Sequence, residues 1–196
     1  ADMVAYMDKL VGRLIAKLDE LGIRDNTLVM FLGDNGTGKG LTSQFKGQSY
    51  PGGKGLTNAR GMHVPLIANW PSHVPAGHVN EDLVDSTDFF PTICDIAGVN
   101  VPASLTIDGH SFAPQLRGET GKPRDWIYMW YAKDGGSKAK REFAMSKSLK
   151  LHSDGRVFDL RKDPFEETAL DKADLKGEDN AALGVLQSVI DRYADA

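Results

Sequence analysis

An amphipathic segment followed at once by a short apolar run restricts the fold of this chain more than any other feature. Residues 2–22 carry apolar side chains at alternating steps of three and four, which predicts a helix that Gly22 ends. Residues 27–32 are almost continuously apolar and lie between turn-forming residues, which is typical of a strand buried on both faces of a parallel sheet. This order of elements favours an α/β fold.

The following stretch combines loop, strand and helix signals. Nine of the 29 residues between positions 33 and 61 are glycine and no hydrophobic period holds, so we expect one long functional loop there. Residues 64–68 predict a second core strand. Residues 88–98 predict a short helix with Asp88 as its N-cap, a proline in its first turn and a terminal glycine.

The character of the sequence changes after about residue 115. Short strand-like runs separated by Gly, Asp and Lys predict a small antiparallel sheet, and residues 180–193 predict a closing helix. Asp154-Gly155 has the composition of a hairpin turn. The expected strands are residues 126–131, 142–145, 149–152 and 157–160. We therefore divide the chain into residues 1–115, part of a mostly parallel sheet flanked by helices, and residues 116–196, an antiparallel sheet plus helix subdomain.

Composition excludes several classes of function. The 196 residues, with 23 Lys+Arg against 27 Asp+Glu and a net charge of −4, suffice for one globular domain or slightly more. Because basic residues are scattered among acidic ones, no nucleic-acid partner is expected. Neither a long apolar stretch nor a signal-like start is present, so we expect no membrane span and no export signal in these residues. The single cysteine, Cys94, cannot form an internal disulfide.

The sequence Gly33-Asp34-Asn35-Gly36 places a carboxylate and an amide at the carboxyl end of the first predicted strand. Open α/β sheets form their ligand crevices at such ends. Asp-Asn-Gly is also a common turn composition, so a plain turn is one interpretation. The other is that Asp34 and Asn35 offer oxygen ligands to a hard divalent cation, for which Ca²⁺ is well suited. Further ligands would have to come from elsewhere.

Other motifs do not support a different kind of site. The stretch from Gly33 to Lys39 nearly matches a phosphate-binding loop, but Gly40 stands where the Mg²⁺-binding hydroxyl is needed. The dinucleotide pattern G-x-G-x-x-G fails because Leu41 and Ser43 occupy the positions of its third glycine. Four histidines lie far apart without metal-ligand spacing, and surface or capping roles are predicted for them: His73, His78, His110 and His152.

A second candidate segment is Gly52-Gly53-Lys54-Gly55. Glycines on both sides let the backbone bring the lysine ammonium close to a small anion, where it acts as a point charge. Taken alone, such a loop is usually a solvated surface turn. Its position after Asp34 and Asn35 makes a binding role for Lys54 the more interesting interpretation.

Taken in chain order, these segments resemble the C-terminal part of the sulfatase family, in the alkaline-phosphatase-like superfamily. The resemblance covers nearly the whole chain. It rests on residues 14–18, 26–29, 33–36, 52–55, 64–65, 88–92, 97–99, 107–109 and 157–160, together with Asp163-Pro164 and Glu166.

The resemblance implies an alkaline-phosphatase-like fold in which Asp34 and Asn35 are Ca²⁺ ligands and Lys54 contacts the sulfate ester as a catalytic, substrate-binding residue. It also implies a cysteine-derived formylglycine nucleophile. The function implied is hydrolysis of a sulfate monoester, with a sulfated sugar as one candidate substrate. A periplasmic or secreted location is expected only from the resemblance.

One departure from the family pattern changes the expectation for this chain. The formylglycine signature Cys-x-[Pro/Ser/Ala]-x-Arg is absent, because Cys94 is followed by Asp95-Ile96-Ala97-Gly98. We therefore read Cys94 as a buried helix residue, and the chain as an inactive C-terminal fragment that self-associates through surface exposed by truncation. A phosphomonoester or phosphonate ester hydrolase of the same superfamily, and a non-catalytic module in which Asp34 and Asn35 form only a turn, stay open as alternatives.

Overall fold

The computed structural model describes residues 2–133, 135 and 140–194. Helix α1, Asp2–Glu20, confirms the predicted amphipathic helix. Gly22, with a φ of 67°, lets the chain reverse, and the N–H of Ile23 then donates to the Leu18 carbonyl at 3.1 Å. A single 3₁₀ turn leads from there into strand β1, Val29–Leu32. None of the helices in the described ranges has both the length and the apolarity needed to cross a membrane.

Strand β1 differs from expectation in its pairing and its burial. It pairs with strand β4, Leu66–Asn69, in antiparallel orientation, and Leu32 lies opposite Leu66. No residue of β1 is fully buried, and Leu32 is 45% exposed. The expectation of a parallel strand buried on both faces is therefore wrong within this chain, where β1 is antiparallel to its partner and only partly buried. A continuous apolar run indicates that both faces of a strand pack against other parts of a protein, but it does not indicate the direction of the strand.

The predicted long loop contains regular structure. Strands β2, Thr42–Phe45, and β3, Gln48–Pro51, form an antiparallel hairpin. Lys46 and Gly47 connect them with φ values of 50° and 78°, as a type I′ turn requires. Helix α2, Ala59–Met62, follows. The hairpin has no hydrophobic alternation because most of its side chains are exposed, so periodicity could not reveal it.

Helix α3, Phe89–Ile96, confirms the short helix, but Asp88 does not cap it with its side chain. The Asp88 carboxylate instead accepts from the N–H of Asp85 at 2.7 Å and forms a buried, two-pronged ion pair with Arg124. Cys94 lies in α3 and is half-buried rather than buried. Helix α4, Ala113–Leu116, packs next to α3.

The last third of the chain forms the predicted antiparallel sheet. Strands β5, Ile127–Tyr131, β6, Arg141–Met145, β7, Leu149–His152, and β8, Val157–Asp159, lie side by side in that order. Helix α5, Gly177–Tyr193, covers the sheet through β6 and β7. The core between sheet and helix consists of Ala144, Leu149, Leu151, Val157, Leu186, Val189 and Ile190. The fold is α/β, as predicted.

Candidate active site

Asp34 and Asn35 lie directly after β1, on a segment held by backbone hydrogen bonds at both ends. The Gly33 N–H donates to the Pro65 carbonyl, and the Gly36 N–H donates to the Gly61 carbonyl, each at 3.0 Å. Both predicted ligand side chains are exposed, and Asn35 Nδ2 donates to Asp34 Oδ2 at 2.6 Å. This bond uses the donor end of the amide, so Asn35 Oδ1 and Asp34 Oδ1 remain as oxygens that can bind a cation.

The loop with Lys54 packs against the segment that follows Asp34 and Asn35. The Lys54 N–H donates to the Thr37 carbonyl at 2.9 Å, and the Gly52 N–H donates to the Leu41 carbonyl at 2.8 Å. A Cβ at Gly52 would overlap the Gly38 carbonyl oxygen, so only glycine permits this approach. The Lys54 side chain is exposed. The structure thus brings the backbones of the two predicted segments together.

The donor set fits part of a cation site. Nowhere in residues 2–133, 135 and 140–194 do three or more His, Cys, Asp or Glu side chains cluster as metal ligands. Asp34 contributes one group of that kind and Asn35 an amide oxygen, whereas Ca²⁺ takes about six to eight oxygen ligands. The two residues therefore suit a hard cation chemically, and most of its ligands would lie outside this pair.

Sequence reasoning missed a buried ionic cluster beside the Lys54 loop. Lys150 and His152 lie on β7, where both are buried, and their partner is Glu166. Lys150 Nζ lies 2.6 Å from Glu166 Oε1, and His152 Nε2 lies 2.7 Å from Glu166 Oε2. The prediction of a surface or capping role for His152 is wrong. The available signal was two cationic residue types alternating with leucine in a strand pattern.

Burial and charge shift the pKa values within this cluster. Burial raises the pKa of Glu166, but the hydrogen bond from His152 and the charge of Lys150 outweigh it and hold that pKa below its usual value. Burial lowers the pKa of Lys150, against the opposing charge of Glu166. A cleft of about 240 Å³ opens beside the cluster, lined by Leu56, Thr57, Asn58, Arg141, His152, Arg156, Phe165 and Glu166.

Comparison with known families decides what kind of protein carries this arrangement. The sequence model of the sulfatase family matches residues 1–99, about half of the chain. A second family model, N-sulphoglucosamine sulphohydrolase C-terminal, matches residues 53–178. The chain belongs to the sulfatase family. The matches include the segments with Asp34, Asn35 and Lys54 on which the resemblance was based.

Individual sulfatases are similar over most of the chain. Human arylsulfatase A is 30% identical over 217 aligned residues, which cover 96% of this chain and 41% of that protein. Human arylsulfatase D is 29% identical over 86% of this chain and 35% of that protein. Mouse steryl-sulfatase is 38% identical over 60% of this chain. The chain therefore spans less than half the length of these relatives.

Solved structures agree with the fold. A sulfatase from Pseudoalteromonas sp. matches with a TM-score of 0.74 and 27% identity, over 96% of this chain and 42% of that one. A protein solved in complex with its substrate D-glucosamine-2-N,6-O-disulfate matches with a TM-score of 0.77 and 25% identity, over 98% of this chain and 40% of that one. The fold of this sulfatase segment is thus alkaline-phosphatase-like, as expected.

Proposed function

We propose that this chain forms the part of a sulfatase that binds the sulfate group and the divalent cation, and that the enzyme containing it hydrolyses a sulfate monoester. One observation carries the proposal: in a chain of the sulfatase family, the Lys54 N–H donates to the Thr37 carbonyl. The Lys54 loop therefore lies against the segment that follows Asp34 and Asn35. The ammonium group of Lys54 and the side-chain oxygens of Asp34 and Asn35 are therefore carried by adjoining loops.

The residue types suit the reaction. A sulfate monoester carries its charge on oxygen, so groups that stabilise negative charge on oxygen lower the barrier. We assign the Lys54 ammonium to the sulfate oxygens as a point charge, and Asp34 and Asn35 to a divalent cation, Ca²⁺. When bound, the cation supplies Lewis-acid polarisation of the same ester group.

The nucleophile is assigned to a part of the enzyme outside these 196 residues. Cys94 is followed by Asp95-Ile96-Ala97-Gly98, which does not match the formylglycine signature, and it is half-buried in α3. We therefore expect the isolated chain to turn over no sulfate ester. Hydrolysis of an aryl sulfate by the purified 196-residue chain would contradict this assignment.

We propose a sulfated carbohydrate as the substrate class. Support comes from the N-sulphoglucosamine sulphohydrolase family model, which matches residues 53–178 and so includes Lys54. A second support is the similarity to a protein solved with D-glucosamine-2-N,6-O-disulfate as its substrate. We further propose that the enzyme is exported, to the periplasm or outside the cell, which rests on the family resemblance alone; fractionation of the source cells tests it.

The decisive experiment uses the protein encoded by the complete reading frame that contains this chain. Its hydrolysis of 4-nitrophenyl sulfate and of a sulfated glucosamine is measured with and without a Ca²⁺ chelator. We expect Lys54→Ala to lower kcat/KM by about 100-fold, because a charge aimed at the sulfate oxygens is lost. An Asp34→Ala, Asn35→Ala double variant should lose the dependence of activity on added Ca²⁺.

Lys39→Ala is the matched control, because Lys39 is an exposed lysine of the same glycine-rich region. Its kcat/KM should stay within about twofold of the wild type. Equal effects of the Lys39 and Lys54 substitutions would overturn the assignment of Lys54. Hydrolysis of 4-nitrophenyl phosphate or of a phosphonate ester that exceeds sulfate hydrolysis would favour the alternative hydrolases, and no ester hydrolysis at all would favour a non-catalytic module.

A further inference from the structure

The cluster of Lys150, His152 and Glu166 lies in the interior of the protein, where an unpaired charge is strongly destabilising. The Lys150 side chain is 1% exposed, His152 7% and Glu166 9%. Removing a charge from water costs several kcal/mol unless it gains partners of good geometry. Replacing a buried ion pair by well-packed apolar side chains is often neutral or favourable for stability, so stability alone does not explain these polar side chains.

The Glu166 carboxylate bridges two side chains of β7, Lys150 and His152. Its Oε1 bonds to Lys150 Nζ at 2.6 Å and its Oε2 to His152 Nε2 at 2.7 Å. Glu166 has a φ of 60°, which a non-glycine residue rarely adopts. The turn that holds this conformation is closed by the Glu166 N–H, which donates to the Asp163 carbonyl at 3.2 Å. The ammonium of Lys150 also lies 3.6 Å from the ring centroid of Phe143.

A further hydrogen bond of the cluster leads to the Lys54 loop. Lys150 Nζ donates to the carbonyl oxygen of Thr57, a residue 7% exposed and three positions after Lys54. The peptide between them is tightly folded, since the Leu56 N–H donates to the Gly53 carbonyl at 2.8 Å. The cluster therefore bonds directly to the backbone that continues from Lys54.

A second set of contacts joins the turn before Glu166 to the residues after Thr57. Asn58 Nδ2 donates to the Phe165 carbonyl at 3.0 Å, and the Ala59 N–H donates to the Pro164 carbonyl at 3.2 Å. The guanidinium of Arg60 lies 3.9 Å from the centroid of the Phe165 ring. The turn before Glu166 is thus attached to residues 58–60, which follow the Lys54 loop, by several contacts.

We infer that Lys150, His152 and Glu166 are positioning residues that hold the Lys54 loop in place through the Thr57 carbonyl and the adjoining turn. The inference rests on the proposed function for the role of Lys54, but its structural part stands on the contacts alone. Charged groups suit this task because a short ionic hydrogen bond has a defined direction, whereas apolar packing tolerates sliding. The C-terminal sheet thereby places a side chain of the sulfate site.

Amide hydrogen exchange of the 196-residue chain tests the structural part without any substrate. In Glu166→Gln we expect the amides of Lys54 and Leu56 to exchange at least about tenfold faster than in the wild type, because the ionic hold on Thr57 is weakened. The reference amides are Leu160, which donates to Ser148, and Leu170, which donates to Val157. Their exchange should change by less than about twofold.

A second variant and a control keep the test decisive. Asn58→Ser removes the amide donor to the Phe165 carbonyl without adding a charge to the cleft that Glu166 lines, so it loosens the same attachment and leaves Lys150, His152 and Glu166 in place. Arg161→Gln removes the ion pairs of Arg161 with Asp159 and Asp179, beyond the end of β8, and should leave the exchange of the Lys54 amide unchanged. The inference is wrong if the Lys54 amide does not exchange faster in Glu166→Gln and Asn58→Ser. It is also wrong if the amides of Leu160 and Leu170 exchange faster by the same factor as the amide of Lys54 in both variants.

Kinetics of the enzyme from the complete reading frame test the functional part. Glu166→Gln should lower kcat/KM for the aryl sulfate about tenfold when Lys54 is present, and by less than about twofold in a Lys54→Ala background. Equal losses in both backgrounds would show a general structural effect and overturn the positioning role. Absence of activity in the wild type would refute the proposed function, while the exchange experiment would still decide on the attachment of the loop.

Discussion

The layer of α1, β1 and β4 and the layer of β5–β8 with α5 differ in how well their apolar side chains are covered. No residue of α1 is buried, Leu14 is 68% exposed, and an apolar cleft of about 420 Å³ separates α1 from β1. By contrast, Leu149 and Leu151 in the C-terminal sheet are at most 1% exposed. Similar apolar patterns thus form a core only where the chain itself supplies the opposite packing face.

The largest expected effect concerns the buried ion pair between Asp88, which precedes α3, and Arg124, which precedes β5. Arg124→Met should lower the free energy of unfolding by about 3–5 kcal/mol, because it leaves the 2% exposed carboxylate of Asp88 without its cation. Lys147→Met is the matched control: its ion pair with Asp82 also joins segments far apart in the chain, but Lys147 is 53% exposed, so about 0–1 kcal/mol is expected. Urea unfolding of both variants measures the difference, and equal losses would contradict it.

Leucine substitutions in the two layers should differ in their effect on stability. Leu151→Ala should destabilise the chain by about 2–5 kcal/mol, since it leaves a cavity in the C-terminal core. Leu14→Ala should change stability by less than about 0.5 kcal/mol, because little of its side chain is covered. The urea midpoints of the two variants provide the measurement. A loss of more than 2 kcal/mol for Leu14→Ala would mean that α1 has cover.

Acid should weaken the C-terminal layer through its paired carboxylates. The hydrogen bond from Arg161 lowers the pKa of Asp159, and the partners of Glu166 lower its pKa despite burial. The folded state therefore binds fewer protons than the unfolded state, so stability is complete above the usual pKa values and is lost as the pH falls through the folded ones. Urea unfolding between pH 7 and pH 3 should show this decline, and Glu166→Gln should flatten it.

The smallest effect on stability, and a larger one on association, is expected at the open face. We expect the chain to self-associate through α1 and the outer face of β4, where Ile67 is 58% exposed. Leu14→Lys combined with Ile67→Lys should weaken association about tenfold and change stability by less than about 0.5 kcal/mol. Analytical ultracentrifugation measures the association. A monomeric wild-type chain at 100 μM would refute the expectation.

Much of the fold could be predicted because its signals are local. Helix α1 and the four C-terminal strands follow from the spacing of apolar residues and from turn compositions such as Asp154-Gly155. The hairpin of β2 and β3 could not be found in this way, because its strands are polar and mostly exposed. A glycine-rich composition therefore does not exclude regular structure, since the hairpin of β2 and β3 lies within the glycine-rich region.

The candidate site likewise contains some residues that local patterns could indicate and others that they could not. Asp34, Asn35 and Lys54 were predicted from residue type and from their position after a strand or between glycines. Lys150 and Thr57 are 93 positions apart, and no local pattern relates them. His152 is buried beside Glu166, whose carboxylate reaches it from a turn outside the strand.

The amino-acid sequence alone predicts most of the local elements and suggests Asp34, Asn35 and Lys54 as candidate binding residues, because both inferences need only side-chain chemistry and short-range spacing. The antiparallel pairing of β1 with β4, the contact of the Lys54 loop with the Asp34 segment and the burial of Lys150 and His152 are visible only in the folded chain. Strand direction, loop contacts and the environment of a charge all depend on which distant segments meet, and that depends on packing of the whole chain.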